Sequence, residues 1–337
     1  MSQGSKGFTE ARVGNRTRIA AMLGGALLLA ATVIGCGAEP DPEANVPAEG
    51  TRVSGGPGTV AKPGSLEGFS SPESVLFAED RWFISNVGAE RAPLAKDGDG
   101  YLTELNAVGT VTARKAMPRQ GDPPLHAPKG MAHHDNRVFV ADIDRVVGYD
   151  VDTHGQVFEA PLSGDEPAML NDLALLDSKT LLVSDSLRGI VYRLDLESKS
   201  FESLATAIPG ANGIALDPSG KVAFVAGTGA DFTGGDLWRL DLTQNPVVPQ
   251  RVGSVHGVLD GIAVPANGTI VISDWVSTTN PDQAGSVQVY NPDGSLSATV
   301  RLPDNLRGPA DFTLDGTGRN IWVPAMADNR VVVVPLP

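Results

Sequence analysis

Residues 211–227 read ANGIALDPSGKVAFVAG: one apolar run, a turn built on Asp, Pro, Ser and Gly, and a second apolar run. Two short runs of Ile, Val, Leu and Phe on either side of turn residues mark an antiparallel strand pair. The same phrase opens at PESVLF (72–77), PKGMAHH (128–134), LNDLALLD (170–177), LDGIAVPA (259–266) and PADFTLDG (309–316). Each time a Pro or small apolar residue precedes a polar one and then an alternating apolar run. About ten residues later comes the second run: RWFISN, RVFVAD, TLLVSD, TIVISD or NIWVPA. A third usually follows, as in GIVYRLD, GDLWRLD, GSVQVYN and NRVVVVP.

Self-similarity over units of roughly 35 to 50 residues, without a stretch of helical periodicity, is the signature of a repeat architecture. Three or four antiparallel strands per unit, six times over, predict an all-β fold: a single-domain, six-bladed β-propeller over residues 66–337. Such a ring has to close. The last unit supplies three strands before Pro337, so residues near Thr59 to Phe69 are expected to add its fourth.

Ahead of the repeats the chain begins with Lys6, Arg12, Arg16 and Arg18, then an uninterrupted apolar and small-residue run from Ile19 to Ile34, and ends that run in VIGC at Cys36. Residues 1–35 have the form of a secretory signal peptide. VIGC resembles the lipobox of bacterial lipoproteins, which implies that Cys36 takes a lipid and anchors the protein to the bilayer of the cell envelope, outside the cytoplasm. Gly37, rather than Asp, after the cysteine favours an outer membrane where the host has one. Cys36 is also the single cysteine, so no intramolecular disulfide is possible. Residues 36–65 are rich in Gly, Pro, Ala and acids, and read as a flexible tether.

The 337 residues carry 26 Lys and Arg against 40 Asp and Glu; removing residues 1–35 takes away four basic and one acidic residue and leaves a net charge of −17. A domain this acidic, with no basic cluster, excludes nucleic acid as a partner.

In a propeller the innermost strand of each blade lines the central channel, and the residue before it lies at one mouth. Six openings therefore bring Glu73, Lys129, Asn171, Asn212, Asp260 and Asp311 around one axis. Glu73, Asp260, Asn171 and Asn212 are the hard oxygen donors that Ca²⁺ prefers. With no Cys available and the histidines out of register, zinc is not expected. The competing reading is local: Asn-Gly and Asp-Gly also occur wherever a tight turn needs positive φ. Lys129 is a departure, a positive charge beside the proposed cation that either pairs with an acid such as Asp311 or binds a substrate carboxylate. Asp142, Asp185 and Asp274, each ending a second strand, are expected to hydrogen-bond at the blade turn. The DGDG at 97–100 lacks the bidentate Glu of a calcium loop and reads as a hairpin turn. Trp275 is placed to wall a pocket, whereas Trp82, Trp238 and Trp322 sit in strand runs and belong to the core.

Taken together, GFSSPESVLF, APKGMA, LNDLALL, ANGIALD, LDGIAV and GPADFTLD with VPAMADNRVVVV resemble the SMP-30/gluconolactonase/LRE-like family of six-bladed propellers, from about Gly68 to the end of the chain. The resemblance implies a divalent cation, calcium or another, held by Glu73, Asn212 and Asp260, with Asn171 contacting substrate or completing the metal's ligands. The first expectation is a metal-dependent hydrolase, most plausibly a lactonase, with Asp260 at the metal as general base toward water; Lys129, Asp311 and Trp275 are read from their positions as facing a small-molecule substrate. Family members that act on sugar lactones tend to carry Arg two residues before the blade-three Asn; here that position is Met169, so a less polar acyl lactone or another ester fits as well. The alternative is a non-catalytic propeller that holds a ligand or a protein at the cell envelope.

Overall fold

A computed structural model describes residues 64–280 and 282–337. The leader, Cys36 and most of the tether lie outside the described residues. Six four-stranded antiparallel sheets follow one another around an axis. The first is β2 (Pro72–Ala78), β3 (Arg81–Asn86), β4 (Tyr101–Asn106) and β5 (Val111–Met117). The next four sheets are β6–β9 (within Pro128–Pro161), β10–β13 (within Leu170–Ala205), β14–β17 (within Ala211–Gly257) and β18–β21 (within Leu259–Thr299). The sixth contains β22 (Thr313–Leu314), β23 (Asn320–Ala325) and β24 (Arg330–Pro335). Its outer strand is β1 (Gly64–Glu67), paired antiparallel with β24 from Gly64↔Val333 to Glu67↔Arg330. The first strand thus closes the last blade, as expected. The only helix among the described residues is a single 3-10 turn, Met326–Asp328, and no described helix is long and apolar enough to cross a membrane.

The second strand of every blade is buried on both faces, which is why these segments read as unbroken apolar runs. Side chains alternate between the two neighbouring interfaces. In β3, Trp82 and Ile84 pack toward blade six and Phe83 toward blade two; in β7 (Arg137–Asp142), Val138 and Val140 face blade one and Phe139 and Ala141 face blade three. The core is therefore a cycle of interfaces between adjacent blades, and each blade is stable only between its neighbours. The blade-six opening at 309–316 is thinner than the sequence suggests. Only Thr313 and Leu314 are laddered there, with an isolated bridge from Pro309 to Ala325.

The expected turn at 97–100 is also different. Asp97–Gly100 lies inside a long connection, residues 87–100, between β3 and β4, where Asp99 Oδ2 accepts from the Ala89 amide at 2.9 Å. The strand-ending acids do serve their turns. Asp185 Oδ1 accepts amides of Met169, Leu187 and Arg188, Asp142 Oδ1 accepts those of His126 and Ala127, and Asp274 Oδ1 accepts those of Val258 and Val276.

Candidate functional site

Each of the first five inner strands carries a bulge at the same register. Pro72 pairs with Asn86 and Val75 with Ile84, so Glu73 and Ser74 together oppose Ser85. The same two-against-one break falls at Lys129–Gly130, Asn171–Asp172, Asn212–Gly213 and Asp260–Gly261. A bulge re-aims side chains and bends its strand. In blades one, three and five a serine on the second strand caps it: Ser85, Ser184 and Ser273 Oγ accept the amides of Ser74, Asp172 and Gly261 at 2.8–2.9 Å.

The glycines after Asn212 and Asp260 are not turn residues. Neither Gly213 nor Gly261 has positive φ. A Cβ on Gly213 would lie 2.2 Å from the carbonyl oxygen of Asp260, and one on Gly261 would lie 2.6 Å from Cα of Asp311. Close approach of adjacent inner strands, rather than turn geometry, requires glycine there.

The bulges gather Glu73, Lys129, Asn171, Asn212 and Asp260 at the floor of a cavity of about 330 Å³ at the mouth, with Trp275 in its wall. All five floor residues are buried. Four oxygens on this floor lack any hydrogen-bond partner: Glu73 Oε2, Asn171 Oδ1, Asn212 Oδ1 and Asp260 Oδ1. Each such buried orphan costs roughly 1–3 kcal/mol. Their neighbouring atoms are engaged: Asn171 Nδ2 donates to Ser186 Oγ at 3.1 Å, and Asp260 Oδ2 accepts from Trp275 Nε1 at 2.6 Å. Two carboxylate and two amide oxygens left open at one place fit a hard cation. No group of three His, Cys, Asp or Glu able to hold a metal occurs among the described residues, so any cation site here depends on the two amides.

Electrostatics strain the floor. Burial, then the charges of Asp260 and Asp311, push the Glu73 carboxyl well above the usual carboxylate range, with Lys129 opposing. Burial and the Asp311 charge push Asp260 up to about 7, against Trp275 and the Asn212 amide, which is near but outside hydrogen-bond geometry. Burial likewise raises Asp311 to about 7 despite its bond from Ser74. Buried carboxylates that raise one another's pKa favour a cation between them.

Asp311 does not line the cavity; its Oδ2 accepts from Ser74 Oγ at 2.5 Å. Lys129 pairs with no acid among the described residues. Its Nζ donates to the carbonyls of Pro93 (3.0 Å) and Ala127 (2.9 Å), and burial pulls its pKa down. Asp172 is the buried acid that the sequence reading passed over. Its Oδ1 accepts the Leu173 amide and its Oδ2 the Ile214 amide, tying blade three to blade four beneath the floor. Its place after Asn171, at the position that is Gly in blades two, four and five, was the available signal.

Among families, the one described as SMP-30/Gluconolactonase/LRE-like region matches residues 151–324, a span that contains Asn171, Asn212, Asp260, Trp275 and Asp311 but neither Glu73 nor Lys129. No curated protein matches. A solved structure titled Kuenenia stuttgartiensis Hydrazine Synthase superposes with a TM-score of 0.55 at 16% identity, covering 79% of this chain and 77% of that one. At that identity the likeness shows the fold alone.

Proposed function

Because this chain belongs to the SMP-30/gluconolactonase/LRE-like family, we propose that it hydrolyses lactones or related carboxylic esters with a divalent cation held at the mouth. The observation that supports this reading is the set of four orphaned oxygens on Glu73, Asn171, Asn212 and Asp260. Calcium suits donors of this kind, and when bound it would supply a Lewis acid for the ester carbonyl.

The remaining work falls to the chain's own groups. Trp275 fixes one oxygen of Asp260 and leaves the other facing the cavity. Asp260, whose second carboxylate oxygen carries no competing hydrogen bond, is the acid placed to act as general base. It takes a proton from the attacking water as that oxygen bonds to the carbonyl carbon, and returns it to the alkoxide when the acyl–oxygen bond breaks. Ser186 orients the Asn171 amide so that its oxygen, not its nitrogen, faces inward. Lys129, held by two carbonyls, keeps a cationic donor in the floor whose charge partly offsets that of Glu73.

Hydrolysis of a lactone and aryl-ester panel, with EDTA and with added calcium, tests the reading. Activity that EDTA removes, calcium restores and Asp260→Asn abolishes supports it. The second reading, a ring that holds a small ligand without turning it over, rests on the same cavity and would be assigned by calcium-dependent binding without turnover. We infer further that Cys36 carries the lipid that attaches the protein to the cell envelope.

A further inference from the structure

The wall of the cavity differs in chemistry from its floor. Leu94, Met169, Leu187, Phe232, Val258 and Trp275 face it from connections around the mouth. Leu94 and Leu187 are 47% and 39% exposed, an unusual state for two leucines that share one concave surface. Phe232 sits at φ 59°, a left-handed conformation that bulky residues rarely adopt and that the surrounding bonds hold. Its amide donates to the Gly229 carbonyl, and its own carbonyl accepts the Thr278 hydroxyl at 2.8 Å.

The hydroxyls in the wall already spend their protons on backbone carbonyls, and Arg91, which also lines the cavity, donates to the Ala327 carbonyl at 3.4 Å. Thr278 donates to Phe232, and Thr228 donates to the Gly210 carbonyl at 3.1 Å. A polyhydroxylated ring entering this cavity would strip water from its hydroxyls and meet apolar surface. Met169, which also lines the cavity, brings no hydrogen-bond donor to it. Lys129 ties the Pro93 carbonyl, next to Leu94, to the floor, and the Lys96–Asp144 ion pair fastens the same 87–100 connection farther along.

We propose that the mouth selects esters or lactones bearing an alkyl or aryl group, with the apolar part on this wall and the carboxylic ester on the polar floor, and that Lys129 is a positioning residue for the wall. The substrate class rests on the hydrolase reading above; the apolar site itself does not. Each methylene moved from water onto such a surface strengthens binding about fourfold.

The test uses the full chain with calcium present. Five-membered lactams carrying propyl, hexyl or decyl chains keep the ring shape of the substrate without its ester bond, and their binding is read by calorimetry. The corresponding lactones, and a polyhydroxylated sugar lactone, are followed for turnover. Affinity and kcat/KM are expected to climb by about threefold or more per methylene from propyl to hexyl, with the sugar lactone poorest. Leu94→Asn and Leu187→Asn should flatten the series while keeping the calcium-induced rise in melting temperature. Lys129→Met should flatten it too; should that variant fail to fold, the two surface variants still decide. A flat series, or preference for the sugar lactone, overturns the inference and leaves hydrolysis standing. A rising lactam series with no lactone turned over supports the apolar site and overturns the hydrolase reading instead.

Discussion

Trp275 Nε1 donates to Asp260 Oδ2 at 2.6 Å, and the other oxygen of the same carboxylate has no partner. One indole thereby fixes which way the acid faces. Trp275→Phe keeps an apolar ring in the wall and removes only the donor. Partners that orient a metal ligand typically carry about 10–100-fold in affinity or activity. Calcium affinity, measured by calorimetric titration, is expected to weaken within that range. An affinity changed by less than twofold would remove Trp275 from this role.

The floor predicts a pH dependence whose sign follows from its raised carboxyls. Asp260 and Asp311 stand at about 7 in the folded chain against an ordinary 3.8. The cation-free fold therefore binds these protons more tightly than the unfolded chain does. Its stability is fullest below the ordinary value, declines as pH rises toward 7, and levels off above it. Calcium competes with the same protons, so its stabilising effect should grow over that interval and its binding should release protons. Melting curves with EDTA and with calcium, taken at several pH values up to neutrality, check this. A calcium-induced shift that stays constant across the interval would contradict it.

Glu104 makes the opposite prediction at a site away from the mouth. Burial raises its carboxyl, but the hydrogen bonds from His154 and Thr112 and the charges of His154 and Arg81 outweigh it, so the net pKa is lowered. The His154 Nε2 contact is 2.7 Å and the Thr112 contact 2.6 Å. A lowered carboxyl contributes stability that is present above its ordinary value of 4.5 and lost as pH falls through the folded one. Glu104→Ala leaves these donors without their acceptor and is expected to cost about 1–3 kcal/mol at neutral pH, read by urea denaturation. The loss should shrink in acid, and a loss independent of pH would exclude the electrostatic account.

Closure of the ring rests on aromatic packing as well as on β1. Trp82 of blade one stacks on Trp322 of blade six with ring centroids 4.0 Å apart, and both are fully buried. Trp322→Ala is expected to destabilise the fold by about 3–5 kcal/mol. Deleting the chain through Glu67 should expose the edge of β24 and promote association between molecules. A monomeric deletion variant of unchanged stability would show that β1 is dispensable.

Cys36→Ala should move the protein from the membrane to the soluble fraction. Retention in the membrane with residues 1–35 still attached would identify the leader as a membrane-spanning segment instead.

Much of this architecture was legible because a propeller writes itself locally. Each second strand is buried on both faces, so its apolar run, and in four blades its terminal Asp or Asn, appear in sequence as they do in the sheet. Five of the six polar openings were legible for the same reason, through their register; Asp311 shares the phrase but not the cavity. What sequence did not reveal depends on contacts between blades. The bulges arise from pairing with a strand ten or more residues away, and Gly213 and Gly261 answer to the backbone of the next blade rather than to their own turn. Lys129 was read as a charge facing acids, whereas its partners are carbonyls, one of them 36 residues earlier in a connection without periodicity. Asp172 was hidden because its acceptors serve Leu173 and blade four, not the channel.

β1 runs toward the mouth, with Glu67 beside Arg330 at that end and Gly64 beside Val333 at the other. The chain therefore joins the ring on the rear face, behind the cavity. A label or linker attached at Gly64 itself would therefore sit at the end of the blade-six outer strand away from the cavity.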